Sequence, residues 1–172
     1  MNNRLRWALY AQVLFFAAWA AWCMTNFTGA PCVWLDTSPV DPRDFISGQY
    51  VRLVYPAGNL NGLNCPDNGK YFFVRLEAAQ AETSTKQGPV RVFEAKACAA
   101  RPENSGLWVK AKRGRLSRAE FGIERFYMNE NNPLLNARSG SLVAKVAVGR
   151  NHNMRVLELA EKNQNWQLEQ PR

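Results

Sequence analysis

The chain has 172 residues, with 22 Lys and Arg against 14 Asp and Glu, one histidine, four cysteines and a net charge of +8. That length suits one domain able to bury its own core. A lone histidine and the lack of any C-x-x-C, glycine-rich phosphate loop or D-x-D-x-D-G run argue against a His-rich metal centre, a zinc knuckle, a redox dithiol and a nucleotide or calcium loop, so no metal, no cofactor and no catalytic residue is expected.

The first element is the apolar run Trp7 to Met24, whose single strongly polar residue is Gln12. About 20 apolar residues at ~1.5 Å rise cross a ~30 Å hydrocarbon core. Arg4 and Arg6 precede the run and no Lys or Arg follows it before Val33, which predicts a cytoplasmic N-terminus and an outer domain. The aromatics Trp7, Tyr10, Trp19 and Trp22 lie toward the two ends, as an interfacial belt would. A cleaved signal peptide shares the charge-then-apolar pattern, and Ala18-Trp19-Ala20 would serve as its site. The run stays apolar through Trp22, Cys23 and Met24, which favours an uncleaved anchor, and bulky Trp22 disfavours a lipoprotein cysteine at Cys23. The expected organisation is a cytoplasmic tip over 1–6, an inner-membrane anchor over 7–24, a linker over 25–31 and a periplasmic β domain over 32–172. Subtracting Arg4 and Arg6 leaves +6 on that domain. Outside the cell its counter-charges are lipid headgroups, wall polymers or an acidic partner face rather than nucleic acid.

Cys32 to Leu35 reads as a strand, and Thr37 to Phe45, with Pro39 and Pro42, as a structured turn. Asp44 to Gly48 has the makings of one helical turn. Tyr50 to Tyr55 is the next strand, rich in β-branched and aromatic residues. Pro56 to Gly69 is a Gly/Asn/Pro loop, Lys70 to Leu76 a strand and Glu77 to Pro89 a polar connection. Val90 to Ala97 and Leu107 to Lys112 alternate apolar and charged residues, and Gly122 to Met128 is a further strand. Asn129 to Arg138 predicts the one short helix outside the membrane, capped by Asn131 or Asn132, with Pro133 first and Leu134 and Leu135 facing inward. Ser141 to Val148 and Met154 to Ala160 form a hairpin across a Gly/Asn loop that contains His152. Gln164 to Arg172 is a polar tail. Short strands at this spacing predict a mainly β fold, an antiparallel sandwich or partly open barrel with one short helix.

Cys23 belongs to the membrane run, which leaves Cys32, Cys65 and Cys98 for an oxidising compartment. If Lys70–Leu76 and Val90–Ala97 pair with Glu77 opposite Val90, Cys98 faces Gly69, and the turn at Asn68-Gly69 folds Cys65 back toward it. We expect a Cys65–Cys98 disulfide with Cys32 left free.

Two motifs stand out. Pro39-Val40-Asp41-Pro42-Arg43-Asp44 leads into Gly48-Gln49-Tyr50-Val51-Arg52-Leu53-Val54-Tyr55, and Phe121-Gly122-Ile123-Glu124-Arg125-Phe126-Tyr127 follows downstream. Together with the apolar N-terminus they resemble the GDYXXLXY domain family, through G-D-Y-x-x-L-x-Y and a shared Y-G-I-E-R-Y/F-F stretch. The resemblance implies a membrane-anchored protein, often encoded beside a multi-spanning membrane protein, and implies no activity. Gln49 replaces the family's Asp, which removes any metal or proton chemistry that carboxylate would carry.

Asp41, Arg43, Asp44, Glu124 and Arg125 are expected to form an ion-pair lattice between turn and strand. With Gly48, Tyr50, Leu53 and Tyr55 they make a motif that is either scaffold or binding site. Lys110, Lys112, Arg113, Arg115 and Arg118 surround Gly114 and predict a basic loop for anionic headgroups or an acidic partner. A Ser-Lys dyad drawn from Ser38 or Ser47 with Lys70 or Lys145 is the enzymatic alternative, a membrane-tethered hydrolase or peptidase, but the Ser-Met-x-Pro context is missing. The expected function is a membrane-anchored periplasmic accessory domain that supports a partner membrane protein.

Overall fold

In the computed structural model the described residues are 3–38, 50–66, 69–114, 118–127, 134 and 140–163. The apolar run folds as one helix, α1 (Asn3–Thr25), none of whose residues is buried. At ~1.5 Å per residue its 23 residues match the ~30 Å of a bilayer core. Among the described residues it is the one helix long and apolar enough to cross a membrane. Its last carbonyls are met locally: Thr25 Oγ1 donates to Trp22 O at 2.8 Å and Thr28 Oγ1 to Met24 O at 3.0 Å.

The rest is mainly strand: β1 (Cys32–Asp36), β2 (Tyr50–Arg52), β3 (Phe72–Thr85), β4 (Gly88–Ala99), β5 (Leu107–Arg113), β6 (Ala119–Glu120), β7 (Arg125–Tyr127), β8 (Leu142–Val148) and β9 (Met154–Glu161). Seven make one sheet in the order β6-β5-β3-β4-β1-β8-β9, while β2 and β7 pair separately. The sheet is mainly antiparallel and open, as expected, and is made mixed by one parallel junction. β1 inserts between β4 and β8 and runs parallel to β4, with Trp34 against Val92. Alternation in five residues fixes a strand and its faces but carries no information on which neighbour it joins, or in which direction.

The sheet curls without closing. At one end Thr85 bridges Lys162, and Asn163 N–H donates to Ser84 O at 2.9 Å, tying the end of β9 to the β3–β4 turn. At the other, Lys110 N–H donates to His152 O at 2.8 Å, and His152 Nδ1 lies 2.9 Å from Trp108 O. The β8–β9 turn thus continues the edge of β5 where two-residue β6 stops. His152 is structural, holding φ at 63° with its ring edge-on to Phe73. Val33, Leu35, Val74, Leu76, Val109, Val146 and Leu159 fill the inside of the curl. A second small cluster gathers Ala79, Val92, Val143 and Ala160.

β3 and β4 run well past their predicted ends. Glu77 to Pro89 is not a loop: β3 continues to Thr85 and a tight turn over Lys86 and Gln87 leads into β4. Thr85 Oγ1 organises that turn, donating to Gly88 O at 2.7 Å and accepting from Gln87 N–H at 3.2 Å. The register moves accordingly. Glu77 faces Glu94 rather than Val90, and Cys98 faces Val74 rather than Gly69. Cys65 and Cys98 are nevertheless joined as a disulfide, Cα atoms 4.9 Å apart, and Cys23 and Cys32 are free.

Gly122 to Met128 shortens to Arg125–Tyr127, and Pro56–Gly58 forms a 3-10 turn inside the predicted loop. Of the helix expected over 129–138 only Leu134 is described, packed against the core. The remainder lies outside the described residues, as do the Asp44–Gly48 turn and the polar tail.

Candidate functional site

The two motifs fold into one unit. β2 and β7 pair with Tyr50 against Tyr127, Val51 against Phe126 and Arg52 against Arg125. Beyond the ladder, Leu53 N–H donates to Glu124 O at 2.7 Å and Tyr55 Oη donates to Ile123 O at 3.1 Å. Glu124 Oε1 accepts the N–H of Phe121, closing a turn in which Gly122 takes φ 80°, a left-handed value that a side chain resists. Leu53, Tyr55, Phe121 and Ile123 are all buried. Burial, and behind it the nearby Glu124 carboxylate, pushes the Tyr55 phenol far above its ordinary value, so it remains a donor. The alternation of β2 continues through Val54, which bridges Ser38. The L-x-Y and G-I-E residues therefore hold one another.

The expected lattice is only partly within view. Asp41, Arg43, Asp44 and Gly48 lie outside the described residues, and of Tyr50 only the backbone is described. Glu124 is committed to the Phe121 turn. Arg125 is exposed on β7, so any ion pair it makes is screened by water. Exposed pairs contribute ~0–1 kcal/mol, and we expect Arg125→Ala to shift stability by less than about 1 kcal/mol in a denaturant melt. A loss of about 3 kcal/mol or more would show a desolvated pair instead.

Three residues of the basic segment lie in a strand rather than in a loop. Lys110, Lys112 and Arg113 belong to β5, and the alternation of the strand sends them to opposite faces. Arg113 lies over the Phe72 ring and donates to the carbonyls of Cys65 and Pro66, at 3.3 Å each, so it braces the disulfide loop. Arg118 is exposed and bridges Asn59, while Arg115 lies outside the described residues. Lys110 and Lys112 meet on the other face around Tyr71, their Nζ atoms 4.1 and 5.4 Å from its ring centroid, and Lys70 adds a third at 5.7 Å. A groove of about 330 Å³ runs beside them, lined also by Glu120, Glu124 and Asn153. Sequence reasoning missed Tyr71 and Lys70 as parts of this cluster. The available signal was the cross-strand register, since Phe73 opposes Lys110 and so sets Tyr71 beside Lys112.

The seam between α1 and the domain was also missed. Asn26 O accepts the N–H of Arg150 at 3.1 Å, Asn26 Nδ2 donates to Asn151 Oδ1 at 3.0 Å, and Val148 N–H donates to Pro31 O at 3.0 Å. A Cβ on Gly149 would lie 2.9 Å from Asn26 Nδ2 and 3.1 Å from Asn26 O, so a side chain there would push on the seam. The Ser-Lys dyad gains nothing: among the described residues Ser38 makes no hydrogen bond to Lys70 or Lys145, and Lys145 sits over the Trp34 ring. Ser47 lies outside the described residues.

No curated protein and no solved structure matches the chain. The profile of one family, described as GDYXXLXY protein, matches residues 12–159. That span takes in most of α1, both motifs and every strand through β8, with the greater part of β9. The chain belongs to the GDYXXLXY protein family.

Proposed function

We propose that the protein is a membrane-anchored accessory domain of the bacterial envelope. In this reading α1 crosses the inner membrane once, with the N-terminus in the cytoplasm, and the β domain stands in the periplasm supporting a multi-spanning partner. The observation that carries it is the pairing of a wholly exposed apolar helix with a hydrogen-bonded seam at its end. An apolar helix with no buried residue needs a non-aqueous surround. A domain bonded at Asn26, one residue beyond α1, is held at the membrane surface, where it can meet the outer loops of a membrane protein. The domain's excess positive charge suits anionic lipid or an acidic partner face.

Crosslinking of the full chain in intact membranes, followed by mass spectrometry, tests the assignment. We expect a multi-spanning membrane protein as the main adduct, joined through domain residues. Adducts confined to soluble periplasmic proteins, or accumulation of a cleaved substrate peptide instead, would replace the accessory role with a hydrolytic or soluble one.

A further inference from the structure

We propose that the groove beside Tyr71 seats the phosphodiester of an anionic phospholipid, held by Lys70, Lys110 and Lys112. The inference rests on α1 being in a membrane and adds a lipid contact to that anchor.

Three ammonium groups converge on one aromatic ring, at 4.1, 5.4 and 5.7 Å from its centroid. Among the described residues none of the three makes an ion pair. The ring face offsets part of the mutual repulsion. The ammonium protons not turned to the ring remain available to an anion. Tyr71 is itself 38 % exposed, so the cluster is open to the outside.

Position makes the anion a lipid. Asn153 lines the groove, and Asn151 in the same short turn binds Asn26, the residue that follows α1. A second recess at the helix end is lined by Cys23, Met24, Phe27 and Thr28 together with Arg155. Cations thus flank the point where the chain would leave the hydrocarbon, at the depth of the headgroups. Each Lys or Arg near an anionic surface contributes to such attraction.

The groove also limits the ligand. Glu120 is the cross-strand neighbour of Lys112, and Glu124 lines the same space. Within the lining these two carboxylates balance Lys110 and Lys112, and Lys70, beside Tyr71 at the rim, adds a surplus of one positive charge. That suits a singly charged diester better than a dianionic phosphate.

The test uses the full chain in nanodiscs of phosphatidylcholine, with or without phosphatidylglycerol, and reads the rate of lysine acetylation by mass spectrometry. With phosphatidylglycerol, Lys110 and Lys112 should react about fivefold more slowly, the change that a headgroup contact of this kind implies. Lys96, ion-paired with Glu94 on β4, should keep its rate. Lys112→Gln should restore much of the reactivity of Lys110, because the seat is shared. Protection by soluble glycerol phosphate over pure phosphatidylcholine would assign the groove to a free phosphate and overturn the lipid. Equal rates in both discs, or equal slowing at Lys96, would overturn the site. Failure to enter the discs at all would remove the anchor and this contact with it, and is seen separately, before any acetylation.

Discussion

Replacing Tyr55 by Ala should lower the folding free energy by about 3–5 kcal/mol, the usual effect of emptying a buried aromatic position. The side chain is 4 % exposed, and its hydroxyl makes a side-chain bond between the two family motifs. Tyr55→Phe separates the contributions. It keeps the ring and removes the donor to Ile123 O, so it should cost about 1 kcal/mol. Denaturant melts of the full chain in detergent, followed by near-UV circular dichroism, read both. The same residue predicts an alkaline limb. Its phenol titrates higher in the folded chain than in the unfolded one. The stabilisation it brings is complete below the ordinary value of 10.0 and falls as pH rises beyond it, because the unfolded chain then releases a proton that the folded one keeps. Tyr55→Phe should flatten that limb. If Tyr55→Ala melts as the wild type does, the motif is no scaffold and its residues belong to a binding surface.

Breaking the disulfide should cost about 3–4 kcal/mol on the chain-entropy account, for a crosslink spanning 33 positions. Arg113 strengthens the expectation, since its two bonds to Cys65 O and Pro66 O hold the loop that the crosslink fixes. Cys98→Ser should reproduce the effect of reduction, and Cys32→Ser should leave stability unchanged. Non-reducing peptide mapping should recover Cys65 linked to Cys98, with Cys23 and Cys32 alkylatable. Recovery of Cys32 in the crosslink would contradict the arrangement of β1.

The disulfide also shows how much was legible in advance. The pair is as expected from the sequence, but the register offered for it was not. Strand existence followed from alternation in Val90 to Ala97 and Leu107 to Lys112, where charged and apolar residues mark two faces. The far half of β3 lacked that signal. Between Glu77 and Thr85 the buried side chains among the described residues are the small or polar Ala79 and Thr85, so its strand character comes from pairing with β4 and not from an apolar face. The turn at Lys86-Gln87 carries no Asn-Gly pair, and Gly88, at φ 124°, supplies the unusual backbone from its far side. The parallel junction of β1 with β4 was equally invisible, since it depends on which neighbours close the sheet.

The site divides in the same way. Leu53, Tyr55 and the Phe121–Arg125 stretch were found because they are contiguous in sequence, and the structure assigns them to mutual support. Lys70 and Tyr71 lie just before β3 and Lys110 and Lys112 in β5, and they meet only through the β3–β5 register. The basic residues read as one loop were split by the pleat, which turned Arg113 to the disulfide and left two lysines for the groove. Asn26, read as linker, became the residue on which the domain is hung. Polar seams of that kind have no periodicity to betray them.

The topology is decided by paired reporter fusions placed after Arg172 of the full chain. With α1 as a single crossing and Arg4 and Arg6 inside, an alkaline phosphatase fusion should be active and a fluorescent reporter that matures only in the cytoplasm should be dark, with the chain retained in membranes after an alkaline wash. A bright cytoplasmic reporter with a silent phosphatase would place the β domain inside the cell and contradict the account.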